Sequence, residues 1–294
     1  MEGAGRSPRA TLIGGTAVLL WATLALFTTL TGAVPPFQLV AMTFAVAFLL
    51  ALGTWLARGE SPLRHLRWPA PVWGLGVGGL FGYHLFYFMA LRNAPPVEAG
   101  LIAYLWPLLI VVTSALLPGE RLRWWHLAGA LAGLAGTVLL VTDGGRVAFK
   151  AEYWLGYLMA GLCAVTWTAY SVLSRRFAQV PTDAVGGFCG ATALLALVCH
   201  LGFETTVWPR GGEWLAVLAL GLGPVGASFF AWDVGVKRGN IQALGAFAYA
   251  APLLSTILLI LFGQGALTAA VAAACALIVG GAVLASWDML RRKG

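Results

Sequence analysis

The side chains able to do chemistry in this sequence are tyrosines, tryptophans and one histidine set inside long apolar runs. Tyr83, His84 and Tyr87 fall together in one run. In the next, Gly100, Tyr104 and Pro107 follow at spacings of four and three, which puts them on one face of a helix. The same stripe returns as Gly245, Tyr249 and Pro252. Trp106 stands beside the first stripe, and Trp21 and Trp167 lie deep in two further runs, with Tyr170 near the latter. Phe229, Phe230 and Trp232 add rings in another. Hydroxyls and an imidazole offer hydrogen bonds, and rings offer stacking worth ~0.5–1.5 kcal/mol per pair beyond burial. That combination suits the binding of a planar or aromatic solute. Proline lacks the amide that would bond the carbonyl four residues back. Pro107 and Pro252 therefore free the carbonyls of Ala103 and Ala248 and mark helix breaks with a gating role.

Catalytic patterns are missing. Asp143, Asp183, Asp233 and Asp288 stand apart, so no acid cluster exists to hold magnesium, and no HExxH zinc motif occurs. Gly74-Leu75-Gly76-Val77-Gly78-Gly79 fits GxGxxG but sits inside an apolar helix, where small residues serve close packing. Cys163, Cys189, Cys199 and Cys275 show no ligand spacing. The expectation is no enzyme, no metal and no cofactor. His84 is an ionisable group at a helix centre, hence a candidate proton site or substrate hydrogen-bonder. His200 reads as structural, and His65 and His126 as boundary residues. Glu98 lies near a helix end, and Asp233 is spaced to pair with Lys237. With no carboxylate at a span midpoint, movement down a gradient or coupling through His84 is expected.

The elements that must position these residues follow from composition. Hydrophobic residues make up 60% and charged residues 10% of the 294, against roughly 25% charged in soluble domains. Lipid needs no polar covering, so the chain reads as an all-α integral membrane protein. Ten runs are long enough to cross: 10–30, 36–57, 71–91, 96–117, 124–142, 153–174, 185–207, 214–236, 241–262 and 267–288. The first follows Arg6 and Arg9 and could mimic a secretory signal, but its length favours a retained helix. The net charge of +7 does not point to nucleic acid, because the basic residues sit in short loops. Fourteen of the eighteen Lys and Arg belong to the termini and the even-numbered loops. The positive-inside rule then puts both termini in the cytoplasm of a bacterial inner membrane. Oligomeric state is not readable.

An internal repeat organises the runs. Ala103-Tyr104-Leu105-Trp106-Pro107-Leu108-Leu109 recurs 145 residues later as Ala248-Tyr249-Ala250-Ala251-Pro252-Leu253-Leu254. Gly136-Thr137-Val138-Leu139 matches Gly281-Ala282-Val283-Leu284 at the same offset, and Gly15 and Trp21 match Gly161 and Trp167 at 146. Residues 1–145 and 146–294 thus each hold five helices. Five is odd, so the second copy enters the membrane from the opposite side, the inverted-repeat plan of many secondary transporters.

The stretch Leu117-Pro118-Gly119-Glu120-Arg121-Leu122, with Gly129, Gly133 and Gly136 after it, resembles the hallmark of the EamA-type repeat. The Tyr-x-x-Pro-Leu-Leu of both halves is similar to it as well. That repeat defines a large branch of the drug/metabolite transporter superfamily, and the resemblance covers the whole chain. The second half departs from the pattern with Gly263-Gln264 where Gly-Glu is usual. The resemblance implies ten helices in two repeats, export of a small organic solute and no catalysis. The ring-rich centre looks most similar to YddG-type exporters of aromatic amino acids, with other amino acids, nucleosides, organic cations or other metabolites as the alternative solutes in the same fold. On that resemblance Trp21, Tyr83, His84, Tyr104, Trp106, Trp167 and Tyr249 line the substrate site.

Overall fold

A computed structural model of the chain describes residues 7–262 and 266–288. Among them every regular element is helical: α1 Pro8–Thr29, α2 Pro36–Ala57, α3 Ala70–Asn93, α4 Pro96–Leu116, α5 Trp124–Thr142, α6 Ala151–Phe177, α7 Ala184–Phe203, α8 Glu213–Arg238, α9 Ile241–Leu261 and α10 Ala269–Ala285, with a single turn of helix, Pro62–Leu66, between α2 and α3. The first nine are long and apolar enough to cross a membrane. Helix α10 has 17 residues, about 26 Å at 1.5 Å per residue, slightly less than the roughly 30 Å hydrocarbon core. The expected tenth run, 267–288, is therefore shorter as regular helix. Gly263 and Gln264, and the Arg6, Arg291, Arg292 and Lys293 used to orient the chain, lie outside the described residues.

Helix ends follow local chemistry. Prolines open α1, α2 and α4, where a missing amide costs nothing. Ser7 caps α1 by accepting the Ala10 amide at 3.2 Å. Helix α7 stops at Phe203, four residues short of the expected limit, because Glu204 turns extended and is used elsewhere. Its two carboxylate oxygens accept the Phe37 and Gln38 amides, each at 3.0 Å, so an acid from α7 caps the N-terminus of α2. His200 donates to the same carboxylate at 3.0 Å, a structural role.

The closest helix pairs are α5 with α10, α3 with α6, α2 with α7, and α1 with α8. Shifting each helix number by five maps the first and third onto themselves and exchanges the other two. Helix α4 against α6 is mirrored by α9 against α1 in the same way, and α4 also meets its counterpart α9. In lipid no hydrophobic force drives helices together, so small residues must let the backbones close in. A Cβ on Gly129 of α5 would lie 2.4 Å from the Gly281 carbonyl of α10, and one on Gly281 would lie 2.5 Å from the Gly129 carbonyl.

The loops gather at two ends. At the Ser7 end, the Ser7 amide donates to the Arg238 carbonyl at 3.0 Å, and the Asn240 amide to Thr11 Oγ1 at 2.8 Å. Arg175 at the foot of α6 is the hub: it pairs with Glu120 at 2.5 Å and donates to the carbonyls of Val236 at 2.6 Å and of Gly239. Asp233 pairs with Lys237 at 2.9 Å and accepts from Thr182 at 2.7 Å. Arg58 forks onto Asp183 at 3.0 and 3.2 Å and holds its carboxyl below the usual carboxylate range. The opposite end carries the Glu204 cap, a Gln38–Val207 pair at 2.8 and 2.9 Å, and Thr268 on Asp143 at 3.0 Å.

Candidate functional site

Both predicted breaks are present. Helix α4 runs Pro96–Ala103, turns at Tyr104 and Leu105, and resumes as Trp106–Thr113. Helix α9 runs Ile241–Ala248, turns at Tyr249 and resumes as Ala250–Leu261. Each proline stands in the first turn of its resumed segment. Around the breaks the amides tighten onto carbonyls three residues back, Leu105 to Ile102 at 3.1 Å and Tyr249 to Ala246 at 3.4 Å. The two broken helices then join: the Tyr249 hydroxyl accepts the Leu108 amide at 3.1 Å.

The rings converge beside these breaks. Trp21 of α1, Trp106 of α4, Trp167 of α6 and Trp232 of α8 all touch one another. Trp21 lies 6.1, 5.8 and 5.1 Å from Trp106, Trp167 and Trp232. Trp106 lies 6.2 and 5.9 Å from Trp167 and Trp232, and these two stand 6.3 Å apart. Trp21 and Trp167, matched by the repeat, thus meet edge to face at the centre. Tyr83 joins through Trp167 at 5.4 Å, and His84 through Tyr83 at 5.3 Å. Phe44 and Phe229 flank His84 at 5.2 and 6.5 Å and stack on each other at 5.5 Å.

Burial grades across this cluster. Trp106, Trp167 and Trp232 are buried, at 7%, 4% and 0% exposure. Trp21, Tyr83, His84, Tyr87 and Tyr104 keep part of the side chain accessible. Yet Tyr83, His84 and Tyr104 lie deep among protein atoms, a combination that an internal cavity produces and a lipid-facing surface does not. The Tyr83 and Tyr87 hydroxyls are within electrostatic reach of each other, of the Tyr104 hydroxyl and of the Cys163 thiol.

The polar groups are fixed. His84 Nδ1 donates to the Leu80 carbonyl at 2.7 Å, which leaves Nε2 as the acceptor of the neutral ring. The Trp21 indole donates to Ser228 Oγ and the Trp232 indole to Ser171 Oγ, both at 3.0 Å. Ser228 in turn donates to the Pro224 carbonyl, inside a π-helical turn, Gly223–Ala227, that interrupts α8. Thr168 Oγ1, which donates to the Ala164 carbonyl at 2.8 Å, stands 3.3 Å from the Trp106 carbonyl.

Six of the seven expected residues, Trp21, Tyr83, His84, Tyr104, Trp106 and Trp167, gather around this space. Tyr249 differs: it is 0% exposed, its ring packs against Gly133 of α5, and its hydroxyl is committed to Leu108. Trp232 belongs to the cluster, and its signal was its place three residues after Phe229 on one helix face. Phe44, a single phenyl in an apolar helix, gave none.

The EamA-like transporter family model matches the chain twice, over residues 9–142 and 154–287. The aromatic amino acid exporter YddG of Ancylobacter novellus is 61% identical over 278 residues, covering 94% of this chain and 96% of that protein. The aromatic amino acid exporter YddG of Escherichia coli (strain K12) is 25% identical, covering 97% and 98%. A solved crystal structure with 60% identity superposes with a TM-score of 0.91, covering 96% of this chain and 99% of its own. The two family matches together span most of the chain, and each contains one of the two broken helices: the chain belongs to the EamA-like transporter family.

Proposed function

We propose that this protein exports aromatic amino acids across a bacterial inner membrane by alternating access around the aromatic cluster. The observation that carries the reading is the four-tryptophan contact floor beneath a space edged by Tyr83, His84 and Tyr104. A solute ring inserted there meets indole faces and edges, each contact contributing ~0.5–1.5 kcal/mol. Its amino and carboxylate groups meet phenol hydroxyls and the free His84 nitrogen. The printed name of the Ancylobacter novellus relative, at 61% identity along nearly both whole chains, supports the same solute class.

In this reading all ten helices cross the bilayer as two inverted repeats, residues 1–145 and 146–294, with both termini cytoplasmic. The exchange-related helix packing supports the inversion. Trp21, Tyr83, His84, Tyr104, Trp106 and Trp167 contact the solute, and Tyr249 sets the α4 break against which it rests. Pro107 and Pro252 keep both breaks open. The floor carries no carboxylate, so the solute moves down its own gradient or exchanges a proton through His84. In this reading the protein performs no catalysis and takes no cofactor or nucleic acid, and lipid is its other partner.

Purified protein in liposomes is expected to take up labelled tryptophan or phenylalanine faster than empty vesicles, with unlabelled aromatic amino acids competing. Trp167→Ala or Tyr104→Ala should cut that uptake roughly three- to tenfold without loss of folded protein. Vesicles that carry serine and adenosine but not tryptophan would refute the solute class.

A further inference from the structure

The repeat sets Tyr249 145 residues after Tyr104, and Leu253 145 after Leu108. The structure uses these matched pairs unequally. The Tyr249 hydroxyl holds the Leu108 amide at 3.1 Å and the residue is 0% exposed. Tyr104 instead keeps part of its side chain accessible beside Tyr87. The two ends of the molecule are unequal in the same sense. Arg175 and Glu120 lock the Ser7 end at 2.5 Å. At the repeat offsets of 146 and 145 the residues matched to them are Thr29 and Gly265, which carry no charge. The described state joins the Ser7 end through this pair, and it is the state in which Tyr249, not Tyr104, is engaged.

Two similar halves that exchange conformations also exchange the surroundings of matched residues. We propose that Tyr104 and Tyr249 are positioning residues that trade one hydrogen bond during transport. Tyr249 holds the Leu108 amide while the Ser7 end is closed. Tyr104 holds the Leu253 amide when the Ser7 end opens and the opposite end shuts. This rests on the alternating-access reading above. The physical requirement comes from the breaks. Leu108 is the third residue of Trp106–Thr113 and Leu253 the fourth of Ala250–Leu261. The Leu108 amide thus sits in a first helical turn, where the helix itself supplies no acceptor, and the Leu253 amide stands one position further on, where its helical acceptor is the Tyr249 carbonyl at the break itself. Within a bilayer such a group must find a partner in the protein or in a wet cavity. A tyrosine on the facing helix is a partner that one state supplies and the other withdraws, so each tyrosine favours one state.

The test is the distance between spin labels in unliganded full-length protein. One pair, replacing Arg121 and Arg176, sits on exposed positions at the Ser7 end; the other, replacing Leu30 and Ala266, sits at the repeat-matched exposed positions. Tyr249→Phe should raise the ratio of long to short Arg121–Arg176 distances by about three- to tenfold, while the Leu30–Ala266 distances shorten. Tyr104→Phe should do the reverse, and the double variant should return to the wild-type ratio. Leu108→Pro, which removes the donor in a helical first turn that tolerates proline, should reproduce Tyr249→Phe. A merely structural role would move both single variants the same way or change only thermal stability. Either result, or unmoved distances in monodisperse protein, overturns the switch. If vesicles carry no aromatic amino acid while the tyrosine variants still shift in opposite directions, the solute reading fails and the switch stands.

Discussion

Ser228 shows how much of the cluster hangs on small groups. Its hydroxyl accepts the Trp21 indole proton at 3.0 Å and passes its own to the Pro224 carbonyl, so one oxygen ties α1 to the π turn of α8. Ser228→Ala leaves the half-buried Trp21 indole N–H without its acceptor, a loss of about 1 kcal/mol. The expected result is a lower thermal midpoint together with a several-fold higher KM for the solute, because Trp21 loses its fixed orientation. Ser228→Thr, which keeps the hydroxyl, should recover most of the affinity in the same vesicle assay. Tyr83, His84 and the matched Trp21 and Trp167 were legible in the sequence because polar or large rings deep in an apolar run need a reason to be there. Ser228 and Ser171 were not. A lone serine in a membrane helix usually satisfies itself on the preceding turn, and only the fold reveals that an indole arrives from another helix.

At the scale of elements, prolines and glycines did the writing. The breaks of α4 and α9 follow from Pro107 and Pro252, since a missing amide in lipid must open a helix or be covered by a neighbour. Pro224 gave no comparable signal for the Gly223–Ala227 turn, because proline is compatible with a kink, a break or a π turn. The similar segment of α3, Gly74-Leu75-Gly76-Val77, has valine where Gly221-Leu222-Gly223-Pro224 of α8 has proline, and it continues as unbroken helix. Glycine in α5 has a sharper meaning. A methyl on Gly129 would meet the Gly281 carbonyl at 2.4 Å, an atom of a facing backbone that cannot rotate away. A methyl on Gly53 of α2 would meet nothing within 4 Å. Gly129→Ala should therefore destabilise by about 1–3 kcal/mol through forced separation of α5 and α10, while Gly53→Ala leaves the midpoint in detergent nearly unchanged. Equal midpoints for the two variants would show that the helices part at no cost.

For the whole molecule, the repeat was readable from three aligned segments, and the exchange of α3·α6 with α8·α1 is its three-dimensional consequence. Which contacts move and which stay was not readable, because it depends on what each loop meets. Helices α2 and α7 are tied at both ends, by Arg58 on Asp183 and by Glu204 on the Phe37 and Gln38 amides. They form a frame that either state can keep. Arg175 instead joins the α4–α5 loop to α6 and to the α8–α9 turn at one end only, with Glu120 almost wholly buried. Two consequences separate the frame from the lock. The Asp183 carboxyl titrates lower in the folded protein than in the unfolded chain, held down by the Arg58 hydrogen bonds. Its stabilisation is complete above the unfolded value of about 3.9 and fades as pH falls through the lower folded value. Asp183→Asn should flatten the fall of the thermal midpoint below about pH 4 and leave uptake at neutral pH intact. Glu120→Gln removes the carboxylate from the Arg175 guanidinium, which keeps its bonds to the Val236 and Gly239 carbonyls, a loss of about 1.5–3 kcal/mol. Uptake rates should then change at neutral pH, where Asp183→Asn is silent. A Glu120→Gln protein that transports at the wild-type rate would show that the Ser7 end opens without parting Arg175 from its partner.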